Sequence, residues 1–270
     1  MGRLKIIDSI KNRTVKEVVL VKEKSRWRKK TGQFVVEGKR EIEMALKGGY
    51  TLTKIFFDPG IISIDSVQEL LSTYVSGPEI IEVSHDVYRR IAYRDKTEGI
   101  VALGVSKQHL LEDLEFKRKA PLVLVAEGLE KPGNMGALLR TADAASLDAV
   151  IIANPKTDLY NPNVIRSSLG CVFSVPVAQA GNAEVMEFLT SRKILIIAAE
   201  LGAVNTYSAM DFTVPAAIVV GAESTGLTDL WIDNASHRVI IPMQGEIDSM
   251  NVSVSAAILI FEAMRQRNFK

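Results

Sequence analysis

The sequence predicts an α/β protein in two parts, a smaller α/β domain followed by a larger one built on a parallel sheet. Three observations predict it. Strand-like and helix-like stretches alternate over residues 15–105. Five near-continuous apolar runs recur between 121 and 242, as strands covered on both faces require. Between the two regions the apolar rhythm weakens, and Glu112, Asp113, Glu115, Lys117, Arg118 and Lys119 gather. The expected boundaries are 1–107 for the first domain, 108–120 for a linker and 121–270 for the second domain. A chain of 270 residues, 47% of them hydrophobic, is long enough to bury more than one core.

In the first domain, residues 15–30 have helix-forming composition, with Lys and Arg crowding the end around Trp27. Phe34, Val35 and Val36 read as a short strand. Residues 39–47 read as a helix with Ile42, Ala45 and Leu46 on one face, stopped by Gly48 and Gly49. Strands follow at 54–57, 80–83 and 100–105, with helices at 65–74 and, capped by Ser84, up to Tyr93. In the second domain the apolar runs at 122–126, 149–153, 193–199, 216–221 and 239–242 are the expected strands. A last helix at 253–267 carries Ala256, Ala257, Leu259, Ile260 and Ala263.

Charge is unevenly spread. Residues 1–40 hold 13 Lys and Arg against 4 Asp and Glu, so a net charge of +1 for the whole chain hides a basic end. Such an end suits phosphate binding, and it equally suits a solvated helix face. Lys22, Lys24, Arg26, Arg28, Lys29 and Lys30 are the expected phosphate contacts if the partner is a nucleic acid. Trp27 would either stack on a base or pack in the core. The one cysteine, Cys171, allows no intrachain disulfide and fits a reducing cytoplasm. No stretch is long and apolar enough to span a bilayer, so no membrane partner is expected.

Ligands of open parallel sheets collect outside the carboxyl ends of the strands. Three loops at such positions carry chemistry. The first runs through Lys131-Pro132-Gly133-Asn134 into a helix bearing Arg140. Asn134 can cap that helix or hold a ligand. The second, Gly221-Ala222-Glu223-Ser224-Thr225-Gly226-Leu227, offers a glycine for close backbone approach and a carboxylate that could simply pair with the next helix dipole. The third, from Ile241 through Met243 and Ser249 to Met250 and Asn251, interleaves apolar side chains with polar groups, as an adenine pocket requires. None matches the dinucleotide or Walker A glycine patterns. The three histidines lie outside all three loops, so neither a histidine catalyst nor a metal centre is expected.

In this order and spacing, the loops resemble the three motifs of the SpoU (TrmH-like) branch of the α/β-knot methyltransferases. Asn134-Met135-Gly136-Ala137-Leu138-Leu139-Arg140-Thr141-Ala142 carries the first and Gly221 to Leu227 the second. Ile241-Pro242-Met243 with Ser249-Met250-Asn251-Val252-Ser253-Val254-Ser255 carries the third. Met250 stands where the family usually has Leu, a volume-conserving exchange. The stretch Gly32-Gln33-Phe34-Val35-Val36-Glu37-Gly38-Lys39-Arg40 resembles the ribosomal-protein-like RNA-binding domain that many of these enzymes carry.

The resemblance implies a deep trefoil knot around the second and third motifs, a homodimer with cofactor sites near the subunit interface, and S-adenosyl-L-methionine as cofactor. It implies methyl transfer to a ribose 2′-hydroxyl of RNA, with ribosomal RNA preferred. Transfer RNA, or a non-catalytic RNA-binding protein that retains the fold, is the alternative. By matching positions, Gly221, Ile241 and Met250 contact the cofactor, with Met243 as a neighbour. Arg140 either deprotonates the hydroxyl or clamps the adjacent phosphate. Asn134 and Ser249 orient ribose and Arg140, while Glu223 and Asn251 fix the loops.

Overall fold

A computed structural model describes residues 4–72, 74, 77–94 and 98–270. The chain divides into two compact units: residues 1–108 with 158–174, and residues 109–157 with 175–270. The described elements run in chain order. β1 is Lys5–Ile7, α1 Arg13–Glu23, α2 Ser25–Thr31, β2 Gln33–Glu37, α3 Lys39–Lys47, β3 Leu52–Phe57, α4 Ile64–Leu71, β4 Glu79–Val83, α5 His85–Ile91 and β5 Ile100–Val105. They are followed by β6 Leu122–Glu127, α6 Pro132–Ala144, β7 Ala149–Ala153, α7 Pro162–Ser167, β8 Val177–Ala180, α8 Asn182–Ser191 and β9 Leu195–Ala199. The chain ends with β10 Asn205–Thr206, β11 Ala216–Val220, α9 Asp229–Asn234, β12 His237–Ile240 and α10 Val252–Gln266.

The first unit is a five-stranded sheet in the order β1-β4-β3-β5-β2, with β5 antiparallel to both neighbours. Side chains alternate across a strand, and β2 shows the consequence. Val35 points into a core with Val15, Val18, Tyr88 and Ile91 from α1 and α5. Phe34 points the other way, stacked on Tyr160 at 5.0 Å between ring centres and 5.2 Å from Phe173. The helix expected at 65–74 ends at Leu71, and position 73 within it lies outside the described residues.

The single helix expected at 15–30 is two helices. Lys24 is extended (φ −119°, ψ 110°) between α1 and α2, and Gly32 closes α2 in the left-handed conformation that glycine adopts without a Cβ penalty. The break turns Arg28 inward, which corrects the expectation that it contacts RNA. Arg28 is 5% exposed. Its Nε donates to Asp158 at 2.6 Å, and its Nη1 donates to the carbonyls of Val21 and Lys22 at 2.8 and 2.9 Å. Lys22 is likewise occupied: its Nζ donates to the carbonyls of Arg90 and Ala92 at 2.8 and 2.9 Å, closing the end of α5, and burial lowers its pKa. Lys24, Arg26, Lys29 and Lys30 remain exposed. Trp27 packs against the core of this unit, with Lys30 Nζ 5.2 Å from its ring centre.

Two expected boundaries are also corrected. Residues 158–174 belong to the first unit, because Asp158, Tyr160 and Phe173 find their partners there. Within the expected linker, Leu114 is buried in the core of the second unit, and Leu111 and Phe116 pack beside it.

The second unit is a seven-stranded sheet in the order β10-β12-β9-β11-β6-β7-β8, with every neighbouring pair parallel. All residues of β6, β7 and β11 are buried, which explains their unbroken apolar runs. After β6, β7 and β8 extend the sheet one way, β9 is laid down on the other side of β6, and β11 later inserts between β9 and β6. The order therefore reverses at β6, and the carboxyl ends of β6, β9, β11 and β12 face a shared region where ligands of open α/β sheets bind. Helix α10 packs against α6 and buries Ala256, Leu259, Ile260, Ala263 and Met264.

Replacing Arg28 with Ala strands the part-buried Asp158 carboxylate and should cost about 3 kcal/mol of stability in urea denaturation. Lys29→Ala, at an exposed neighbour, should change it by less than about 0.5 kcal/mol. Equal effects would contradict the assignment of Arg28 to the core.

Candidate functional site

The site is built where β6 and β11 end. Glu127, the last residue of β6, is 3% exposed. Its carboxylate accepts from the backbone N–H and hydroxyl of Thr228 at 2.9 and 2.7 Å, and from the side-chain amide of Asn182. Three donors satisfy a buried charge that would otherwise be costly, and they fix the loop after β11 to the end of β6. Sequence reasoning gave Glu127 no role. A carboxylate closing an all-apolar strand was the available signal.

The loop itself folds back tightly. Ala222 and Gly226 form an antiparallel bridge, with Gly226 N–H donating to the Ala222 carbonyl at 2.8 Å. A Cβ on Gly221 would lie 2.3 Å from the backbone of Gly226, so only glycine fits at the start of this loop.

A cavity of about 490 Å³ opens between this loop, the chain after β9 and the chain after β12. All four residues expected to bind a cofactor, Gly221, Ile241, Met243 and Met250, line it, and so do Glu223 and Ser249. The chain after β9, with Glu200, Leu201 and Gly202, also lines it and was not anticipated. It stands at a strand's carboxyl end, so the rule that selected the other loops applies to it as well. The ionisable side chains on the wall, Glu200, Glu223 and Asp248, are all carboxylates.

Beside the cavity a polar chain joins the three motif loops. Asn251 caps α10: its Oδ1 accepts from the backbone N–H of Ser253 at 3.1 Å and from the Ser253 hydroxyl at 2.5 Å. This leaves the Asn251 amide nitrogen to donate to Glu223 Oε1 at 2.5 Å and to Asn134 Oδ1 at 3.1 Å. The other oxygen of Glu223 accepts from the Lys131 ammonium. Lys131 above all, with Asn134 and Asn251, holds the Glu223 carboxyl below the usual carboxylate range and therefore ionised at neutral pH.

Asn134, Glu223 and Asn251 are thus brought together, with Lys131 and Ser253 as members to which sequence reasoning gave no role. Arg140 is not part of the cluster. It lies exposed on α6, and among the described residues no carboxylate pairs with it. Ser249 is exposed on the cavity wall. Among the described residues no group of three or more His, Cys, Asp or Glu is placed to hold a metal ion, and no helix is long and apolar enough to cross a membrane.

Comparison with known proteins gives a consistent picture. A model of the SpoU rRNA Methylase family matches residues 121–261, and a model of an MRM3-like substrate binding domain matches residues 12–102. A 23S rRNA (guanosine(2553)-2′-O)-methyltransferase of Bacillus subtilis is 29% identical over 262 residues, covering 96% of this chain and 98% of that protein. The fold resembles a crystal structure of an RNA 2′-O ribose methyltransferase that is 40% identical, with a TM-score of 0.83 over 97% of this chain and 99% of that one. It also resembles an AdoMet-bound rRNA methyltransferase from Sinorhizobium meliloti that is 26% identical, with a TM-score of 0.89 over 98% of each chain.

Gly221→Ala should force the loop apart and lower stability by about 1–3 kcal/mol, read by chemical denaturation. A variant as stable as the wild type would show that the backbone crossing is looser than described.

Proposed function

This chain belongs to the SpoU rRNA methylase family, and on that premise we propose that it transfers a methyl group from S-adenosylmethionine to a ribose 2′-hydroxyl of ribosomal RNA. One observation carries the proposal. Glu223 is shared between a cavity lined by the four expected cofactor residues and the Asn134–Asn251 cluster beside it.

The cavity fits the cofactor. Its volume is within the usual range for small-molecule sites. Ile241, Met243, Met250 and Leu201 give apolar walls for a purine, and three carboxylates suit a ligand that carries positive charge. Bound there, S-adenosylmethionine supplies a methyl group on a cationic sulfur, open to in-line attack.

The chain's own residues must place and activate the hydroxyl. Asn134 has its carbonyl oxygen engaged by Asn251 and an amide N–H directed at Glu223, so its remaining N–H is what it offers the substrate. Ser249 supplies a further hydroxyl from the wall. Arg140, exposed and without a carboxylate partner among the described residues, is available to hold the phosphate next to the target ribose in a bidentate pair. Of its two expected roles we favour this clamp, because positioning a nucleophile supplies much of the barrier reduction in such displacements. No histidine lines the cavity.

The RNA is held by the first unit, where the MRM3-like substrate binding match lies and where Lys24, Arg26, Lys29 and Lys30 are exposed. A homodimer belongs to the same proposal, supported by Val254 and Phe261, seven residues apart and exposed on α10. So does the trefoil knot, with which the strand order β12-β9-β11-β6 and the return of α10 to α6 are compatible. The cytoplasm is the proposed location because ribosomal RNA is the proposed substrate, and no metal is assigned a part.

Incubation with labelled S-adenosylmethionine and total RNA, followed by alkaline hydrolysis and mass mapping, tests the proposal. Label should appear in a ribosomal RNA fragment at a linkage that resists alkali. Label on a base, at a linkage that alkali still cleaves, would contradict it, and label in transfer RNA would move the substrate. Arg140→Ala should slow transfer by about 100-fold or more while leaving cofactor affinity within about twofold. Loss of cofactor binding in calorimetry would show that this residue has another role.

A further inference from the structure

Resting on that function, we propose that Lys131 is a positioning residue for methyl transfer: its ammonium pins the Glu223 carboxylate, which in turn fixes the Asn251 amide and, with it, the direction in which Asn134 faces the substrate. Lys131 sits at the N-cap of α6 without making a side-chain cap bond, and the first turn of α6 carries no acidic residue. A cation there opposes the helix dipole, so local structure does not explain it. What accepts it is Glu223, 92 residues further on in the loop after β11. The lysine side chain is 70% exposed, and exposed ion pairs contribute little to stability. The consequence of the pair is geometric.

Each polar group in the chain has one arrangement that satisfies its neighbours. Asn251 must turn its oxygen to the Ser253 N–H, so its amide N–H groups face Glu223 Oε1 and Asn134 Oδ1. Glu223 can hold that position only while its second oxygen is anchored, and Lys131 is the anchor. Lys131 is also the charged group that acts on Glu223 among the described residues, and it favours the ionised form. Without the ammonium the carboxylate is free to rotate, and Asn134 loses the fixed acceptor that sets its direction. The backbone cap of α10 already fixes Asn251, whereas Asn134, in the first turn of α6, makes no such cap bond and takes its direction from Asn251 and Glu223.

The test is steady-state methylation of the target RNA by the full chain, with Lys131→Met, Lys131→Arg, Glu223→Gln and the Lys131→Met/Glu223→Gln double variant. Lys131→Met should lower kcat by about tenfold, with KM for RNA and cofactor affinity within about twofold. Lys131→Arg should recover most of the rate. In the Glu223→Gln background the loss from Lys131→Met should shrink to less than about twofold, because the two residues act as a unit. Independent, multiplying losses would overturn the proposal. So would an unchanged kcat with a raised, salt-dependent KM for RNA, which would make Lys131 a phosphate contact. A loss of kcat that tracks a fall in melting temperature would make the residue merely structural. A wild-type protein that transfers no methyl group at all would overturn the proposed function first, and this proposal with it.

Discussion

The hydrogen bond from Asn251 to Glu223 is the contact on which the second unit's site depends. It ties the loop after β11, the strand that inserts late between β9 and β6, to the cap of α10, the last helix. The two partners are placed in different ways. Glu223 stands in a loop held down by Glu127 at the end of β6, and Asn251 is held by its own helix. When the two meet, the cavity gains a polar edge, and Asn134 of α6 is drawn to the same edge. Carboxylates on a pocket wall are costly for most ligands. They suit one whose reacting atom is positively charged.

Buried and exposed charges divide the work. Glu127 and Arg28 are both buried, one bonded to three donors, the other to a carboxylate and two carbonyls. Each holds an irregular segment in place. The groups left for ligands are exposed: Arg140 on α6, Ser249 on the cavity wall, and Lys24, Arg26, Lys29 and Lys30 in the first unit. Burial thus separates cations that build the fold from cations that face solvent.

Much of this was legible in the sequence. The central strands of the second unit read clearly because burial on both faces leaves no room for polar residues, and β7 begins and ends where its apolar run does. The first two motif loops could be picked out because each follows such a strand. The rest was hidden for physical reasons. β1 and β10 are three and two residues long, too short for any periodicity to show. Residues 158–174 are continuous in sequence with the second unit, and only long-range partners such as Tyr50 and Arg28 decide where they pack. Arg28 and Lys22 look like their basic neighbours, and composition cannot say that the chain breaks at Lys24 and turns Arg28 inward. Lys131 has no local reason to matter, since its partner lies 92 residues away.

The most direct measurement is a crystal structure of the protein grown with S-adenosylhomocysteine. The expected result is a nucleoside held against Ile241, Met243 and Met250, with its sulfur on the side of Glu223 and the loop from Gly221 to Leu227 closed around it. A ligand bound elsewhere, or an empty cavity at saturating concentration, would contradict the assignment of this pocket to the methyl donor.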